Sequence, residues 1–148
     1  MNQGYFTQVT SQTDTRLWIN NPTSEEVKEA LEAGAIACTT NPTYTARMLR
    51  QPETREKALK MIDKGISETS DDEEVAAFAQ RSLVAEMALG FMPHFQATSG
   101  REGFVSLQMN PYLEKDTSKI VTEALIDFAL FPNCIAKIPV IPTGLEAI

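Results

Sequence analysis

The sequence predicts an α/β protein built on a parallel sheet. Four short apolar segments recur along the chain as candidate strands, and helical, amphipathic stretches separate each from the next. In addition, no Gly-x-Gly-x-x-Gly run follows any candidate strand, which weighs against an open sheet of the dinucleotide-binding type. At 148 residues, with 43% apolar and 22% charged, the chain is long enough for one domain with a real core and too short for two ordinary ones. Residues 1–148 are therefore expected to form one domain.

After a polar lead-in, Leu17 to Asn20 reads as the first strand, ended by Asn21 and Pro22, which cannot continue a ladder. Thr23 and Glu26 make a capping box for a helix whose stripe of Val27, Ala30 and Leu31 stops at Gly34. Ala35 to Thr39 is the second strand, turned by Thr40, Asn41 and Pro42, so the first fifty residues hold a βαβ unit. Helices are expected at Tyr44 to Arg50, at Glu53 to Ser67, and from Asp72 to Met92, the last capped by Asp71 and ended before Pro93. Phe104 to Met109 is the third strand and Thr117 to Phe131 a strongly periodic helix. Cys134 to Val140 is the fourth strand, and Pro142 and Thr143 open another helix. Strands alternating with helices imply right-handed crossovers. The pattern alone leaves a barrel and a doubly wound open sheet both open.

The formal net charge of -7 argues against nucleic acid or an anionic membrane as a partner, because both need a basic surface. No uninterrupted apolar run approaches the roughly 18 residues of a membrane span, and the first residues lack the plan of a secretory signal, so the cytoplasm is the expected location. Cys38 and Cys134 lie in apolar strand segments and are expected as buried thiols. Two cysteines and one histidine, far apart, show no ligand spacing, and no metal is expected.

Lys137 is the most informative residue. It sits in Cys-Ile-Ala-Lys-Ile-Pro-Val, a run otherwise apolar on both faces, where alternation groups it with Ile135 and Pro139 against Ala136, Ile138 and Val140. In a barrel the second set would face the helices and Lys137 would point inward, where desolvation disfavours the ammonium. A free amine so placed attacks a ketone and forms an iminium, an electron sink for breaking the adjacent carbon-carbon bond. The alternative is a lysine near a strand end that snorkels into water or pairs with a carboxylate. His94 is expected at a helix end without a catalytic partner, and Trp18 as a core residue rather than a platform for a sugar ring.

Three segments together resemble the transaldolase family, which includes related small sugar-phosphate aldolases. They are Thr39-Thr40-Asn41-Pro42 at the end of the second strand, Val105 to Leu113 with Asp116-Thr117, and Ala136-Lys137-Ile138-Pro139 with Thr143-Gly144-Leu145. The resemblance runs from about Leu17 to Ile148 and keeps the family's order. It implies the N-terminal half of a (β/α)8 TIM barrel, about four parallel strands with outer helices. It also implies transfer of a dihydroxyacetone unit from a ketose phosphate to an aldose phosphate, with no metal or organic cofactor.

By the same resemblance Lys137 is the Schiff-base lysine, Asn41 and Thr39 bind the sugar, and Gln108 stands where transaldolases carry a glutamate that orients the catalytic water. Asn20 departs from the pattern: the family has an aspartate there that exchanges a proton with the substrate hydroxyl, and an amide cannot act as a base. A barrel needs eight strands and typically about 250 residues. The chain is therefore expected either to belong to a longer product or to close a barrel with a second copy. The competing expectation is a truncated or degenerate relative that binds sugar phosphate or a protein without catalysis.

Overall fold

The structure is a computed structural model that describes residues 4–148. Four strands, β1 (Leu17–Asn20), β2 (Ala35–Thr39), β3 (Phe104–Gln108) and β4 (Cys134–Lys137), form one parallel sheet in sequential order, β1-β2-β3-β4. Between them run α2 (Ser24–Ala33), then α3 (Tyr44–Arg50), α4 (Pro52–Glu68) and α5 (Asp72–Ala97), then α6 (Thr117–Phe128) after a short 3-10 turn at Pro111–Leu113; α7 (Pro142–Glu146) follows β4.

Side-chain caps account for the starts of three of the seven helices among the described residues. Thr23 Oγ1 accepts from the Glu26 amide at 3.2 Å, while Glu26 Oε2 accepts from the Thr23 amide at 2.7 Å, which is the expected capping box. Asp71 caps α5 through the amides of Glu73 and Glu74, and Asp116 caps α6 through those of Ser118 and Lys119.

The helices stack on one face of the sheet. Cys38, Val105, Leu107 and Cys134 meet Val27, Tyr44, Met48, Leu83, Val84, Met87 and Phe91 there, with Ile19 packed alongside. Alternation then sends Trp18, Asn20, Thr39, Ser106, Gln108, Ile135 and Lys137 to the other face, which no helix covers among the described residues. One-sided helices on a sequentially ordered parallel sheet are the arrangement of a (β/α) barrel wall, here with four of the eight strands that closure requires. Both sulfurs are buried thiols as expected. Desolvation pushes the Cys134 thiol up to about 11 and that of Cys38 higher still, which makes both inert near neutrality.

Several expectations need correction. The lead-in holds a helix, α1 (Tyr5–Gln12), which buries no residue of its own and rests against the end of α2. Its backbone comes so close to Gly34 (φ +100°) that a Cβ there would lie 2.5 Å from the Thr7 nitrogen. Second, α5 continues through Pro93 to Ala97. The Leu89 and Gly90 turn that loses a hydrogen bond is exposed to water, while Phe91 below it is buried and Phe95 beyond it stacks edge-on against Phe104 at 5.3 Å. At 26 residues, α5 is also long and apolar enough to cross a membrane by length and composition, which no segment was expected to be; Val75, Ala79, Leu83, Val84 and Met87 are buried in the core.

Third, β4 stops at Lys137 rather than Val140, and α6 at Phe128 rather than Phe131. Lys137 pairs with Gln108, the last residue of β3, so there is no ladder beyond it, and Pro139 has no N–H to offer. Fourth, Trp18 is 41% exposed, because its strand lies at the sheet edge and nothing faces it from the open side. His94 does find an acid, Glu102 at 2.9 Å, on the loop that returns from α5 to β3.

Candidate active site

Register places the chemistry-bearing side chains in two rows across the open face. Asn20, Thr39, Ser106 and Ile135 are lateral neighbours in the lower row, and Gln108 and Lys137 pair in the row above, at the C-terminal ends of their strands. Such strand ends are where barrel enzymes hold their chemistry. Lys137 reaches back from its row toward the row below, so that Nζ lies 3.4 Å from Thr39 Oγ1. Ser106 Oγ donates to the same oxygen at 2.9 Å.

Burial lowers the Lys137 pKa from the ordinary lysine value, and no carboxylate works against that shift. Among the strand residues on this face Lys137 is the one cation, with Asn20, Thr39, Ser106, Gln108 and Ile135 uncharged around it. The inward, partly desolvated amine expected from the alternation of Cys-Ile-Ala-Lys is therefore present. Asn20 is exposed, beside Thr39. The backbone carbonyl of Gln108 accepts from Gln80 Nε2 at 3.5 Å.

Asn41 is only partly available. Its Oδ1 accepts from the Thr43 amide at 3.0 Å and the Thr43 hydroxyl at 2.6 Å, which shapes the turn into α3 and leaves only Nδ2 for a ligand. The turn is anchored from the neighbouring loop. Asn21, in the left-handed region at φ 50°, accepts the Asn41 amide on its Oδ1 at 3.1 Å.

The Asn21 carbonyl in turn accepts from Arg47 Nη1, whose other nitrogen grips both oxygens of Glu26 at 2.7 and 2.9 Å. Burial pushes the Glu26 pKa up, but the Thr23 amide and Arg47 outweigh it and hold the carboxylate below its usual range. One capping glutamate thus ties the loop after β1 to α3.

Two residues of this arrangement were missed in the sequence. Ser106 carries a signal, since alternation along Phe-Val-Ser-Leu-Gln puts it on the face of Gln108. Asn21 carries none, because its role depends on a loop twenty residues away. A groove of about 560 Å³ lies between α5, α6 and the end of β3, lined by Ala76, Gln80, Leu107, Met109 and Tyr112 among others; Lys137, Thr39 and Asn20 do not line it. In four strands the lysine face is an open surface, not a closed pocket.

A one-sided parallel α/β sheet with a partly desolvated lysine at the strand ends defines half of a (β/α)8 barrel with a candidate amine site. Residues 17–148 match the transaldolase/fructose-6-phosphate aldolase family, and the chain belongs to that family. It is 29% identical over 150 residues to a transaldolase of Thermobifida fusca, covering 95% of this chain and 40% of that protein. It is 31% identical over 118 residues to transaldolase 1 of Streptomyces avermitilis, covering 76% of this chain and 30% of that protein. A transaldolase of Thiobacillus denitrificans is 40% identical over a shorter stretch of 58 residues, covering 38% of this chain and 16% of that protein. Across the two longer matches, the chain spans at most about 40% of the relative's length.

Proposed function

We propose that Lys137 is a Schiff-base nucleophile and that the barrel to which these four strands belong moves a dihydroxyacetone unit from a ketose phosphate to an aldose phosphate. The observation that carries this reading is the Lys137 amine itself: burial favours its neutral form, and it sits on the open face at the strand ends. In the proposed reaction the amine adds to the ketone, water leaves, and the resulting iminium draws electrons from the bond between C3 and C4 as it breaks. Gln108, paired with Lys137 across the ladder, would hold a water by hydrogen bonding but would not take its proton. Asn20, Thr39 and the Asn41 amide nitrogen would contact sugar hydroxyls.

The four strands offer no second cation on their open face for a substrate phosphate, so that group would be bound by the other half of the barrel. That half would come from further sequence or from a second copy, and a copy of this chain would bring to it the same open face, with Lys137 as its one strand cation.

Borohydride trapping tests the assignment. Incubation with fructose 6-phosphate or dihydroxyacetone, reduction and peptide mapping should place one adduct on Lys137, absent in Lys137→Ala. A mapped protein with no adduct at Lys137, under conditions that label an intact transaldolase, would reject it. The second reading, a relative that binds sugar phosphate or a protein without turnover, has one observation in its favour, the amide of Asn20 where the family carries an acid.

A further inference from the structure

Thr39 Oγ1 is the point where β2, β3 and β4 meet through side chains. Ser106 Oγ lies 2.9 Å from it and Lys137 Nζ 3.4 Å. Ser106 is only 4% exposed and rigidly held, because its carbonyl accepts both the Thr40 amide at 2.8 Å and the Thr40 hydroxyl at 2.9 Å. A hydroxyl has two lone pairs and one proton. With Ser106 and Lys137 donating into the lone pairs, the Thr39 proton is left over for an acceptor on the open face, beside the amine.

Resting on the reading of Lys137 as the Schiff-base amine, we infer that Thr39 is a catalytic hydroxyl that carries a proton across the first adduct, and that Ser106 is the positioning residue that orients it. When the neutral amine attacks, the N–C bond forms and the carbonyl π pair moves onto oxygen, leaving a positive nitrogen beside an alkoxide. The nitrogen gives its proton to Thr39 Oγ1 as Thr39 gives its own to the alkoxide. The product is the neutral carbinolamine, and the threonine ends as it began. No outside acid or base is consumed. Proton transfer of this kind contributes about 100-fold or more to such steps.

On these four strands the competing carrier is the water that Gln108 would hold, and Thr39→Val separates the two because it leaves that water in place. Asn20, Gln108 and Ile135 on the same face do not titrate. The charged groups of α6, packed behind β4, lie on the helix side, where Glu123 and Asp127 are both engaged by Arg81 at 2.8 and 3.0 Å.

The test compares Thr39→Val, Thr39→Ser and Ser106→Ala with the parent chain in two reactions of Lys137. One is borohydride trapping with dihydroxyacetone, which needs the proton shift. The other is arylation by trinitrobenzenesulfonate across pH, which reads only the amine's pKa and accessibility. The expected result is a fall of roughly 10- to 100-fold in the limiting trapping rate for Thr39→Val, near-parental trapping for Thr39→Ser, and an intermediate loss for Ser106→Ala. The arylation profile should stay within about twofold, while the half-saturating dihydroxyacetone concentration reads separately the contact of Thr39 with the sugar.

Parental trapping rates in Thr39→Val and Ser106→Ala would overturn the relay while leaving Lys137 as the Schiff-base residue. Equal losses in trapping and arylation would also overturn it, since the effect would then lie in the amine's environment. An absent parental adduct would instead reject the Lys137 assignment itself, and the relay with it.

Discussion

Lys137 and Thr39 stand two strands apart in the sheet, yet the lysine folds back across β3 to bring Nζ within 3.4 Å of the threonine hydroxyl. A lysine that extended straight into water would keep its ammonium fully hydrated. This one lies along the sheet, loses part of that hydration, and has its pKa lowered by burial.

The lowered pKa has a signed consequence. The folded state disfavours the ammonium, so the unfolded chain binds more protons between the folded and unfolded pKa values, and Lys137 costs stability below that window and less as pH rises through it. Lys137→Met should therefore be more stable than the parent near neutrality, by about 1 kcal/mol or less at this partly exposed site, with the gap closing at alkaline pH. Urea midpoints at two pH values check it. An equal gap at both would mean that packing, not charge, sets the difference.

Glu26 should matter more than its place in a helix cap suggests. Arg47→Met removes its bidentate partner and releases the Asn21 carbonyl; with both side chains about a third exposed, the expected loss is about 1 kcal/mol. Because the Glu26 pKa is depressed in the fold, its contribution is present above the unfolded value of about 4.3 and is lost as pH falls through the folded value. Denaturant melts of parent and Arg47→Met should thus draw together as pH falls below that folded value, where the carboxylate is protonated in both.

Gly103 turns the chain from α5 into β3 at φ +84°, and a Cβ there would sit 2.5 Å from the Phe95 nitrogen. Gly103→Ala meets both backbone strain and a backbone clash, and should cost about 3 kcal/mol. A thermal melt reads this directly. A change under 1 kcal/mol, on the scale of an ordinary surface substitution, would show that the α5–β3 junction is not held as described.

If a second copy rather than further sequence closes the barrel, closure should be visible in the single tryptophan, Trp18, which is exposed on the open face in one chain. Sedimentation equilibrium should give twice the monomer mass, and Trp18 emission should shift to shorter wavelength as concentration rises. A monomer at all concentrations with unshifted emission would mean that the remaining strands come from elsewhere.

Asn20→Asp restores an acid beside Thr39. If bond cleavage is slow for want of a base, release of glyceraldehyde 3-phosphate from fructose 6-phosphate should rise at least tenfold, within the roughly 100- to 10,000-fold range of general acid–base catalysis. An unchanged rate in a variant that still traps dihydroxyacetone at Lys137 would place the limitation outside Asn20.

The elements were legible in the sequence because their signals are local. Capping residues such as Thr23, Asp71 and Asp116 act within three or four positions. The alternation through Ile135 and Lys137 decides which face of a strand a side chain takes, so the inward lysine could be read from seven residues. The resemblance through Thr39 to Pro42 and Ala136 to Pro139 extended that reading to a family and its barrel. Where local rules failed, a distant contact overrode them: Pro93 was expected to end a helix that Phe91 and Phe95 carry past it by packing on the sheet.

By itself, then, the sequence determined the order of strands and helices, the parallel α/β class and the face on which Lys137 stands, since each follows from spacing along a few residues. Only the tertiary structure decided that Ser106 and Lys137 converge on Thr39, that Asn21 anchors the Asn41 turn, and that Trp18 stays exposed. Those relationships depend on register between strands and on what lies across the sheet, and no periodicity within a strand encodes either.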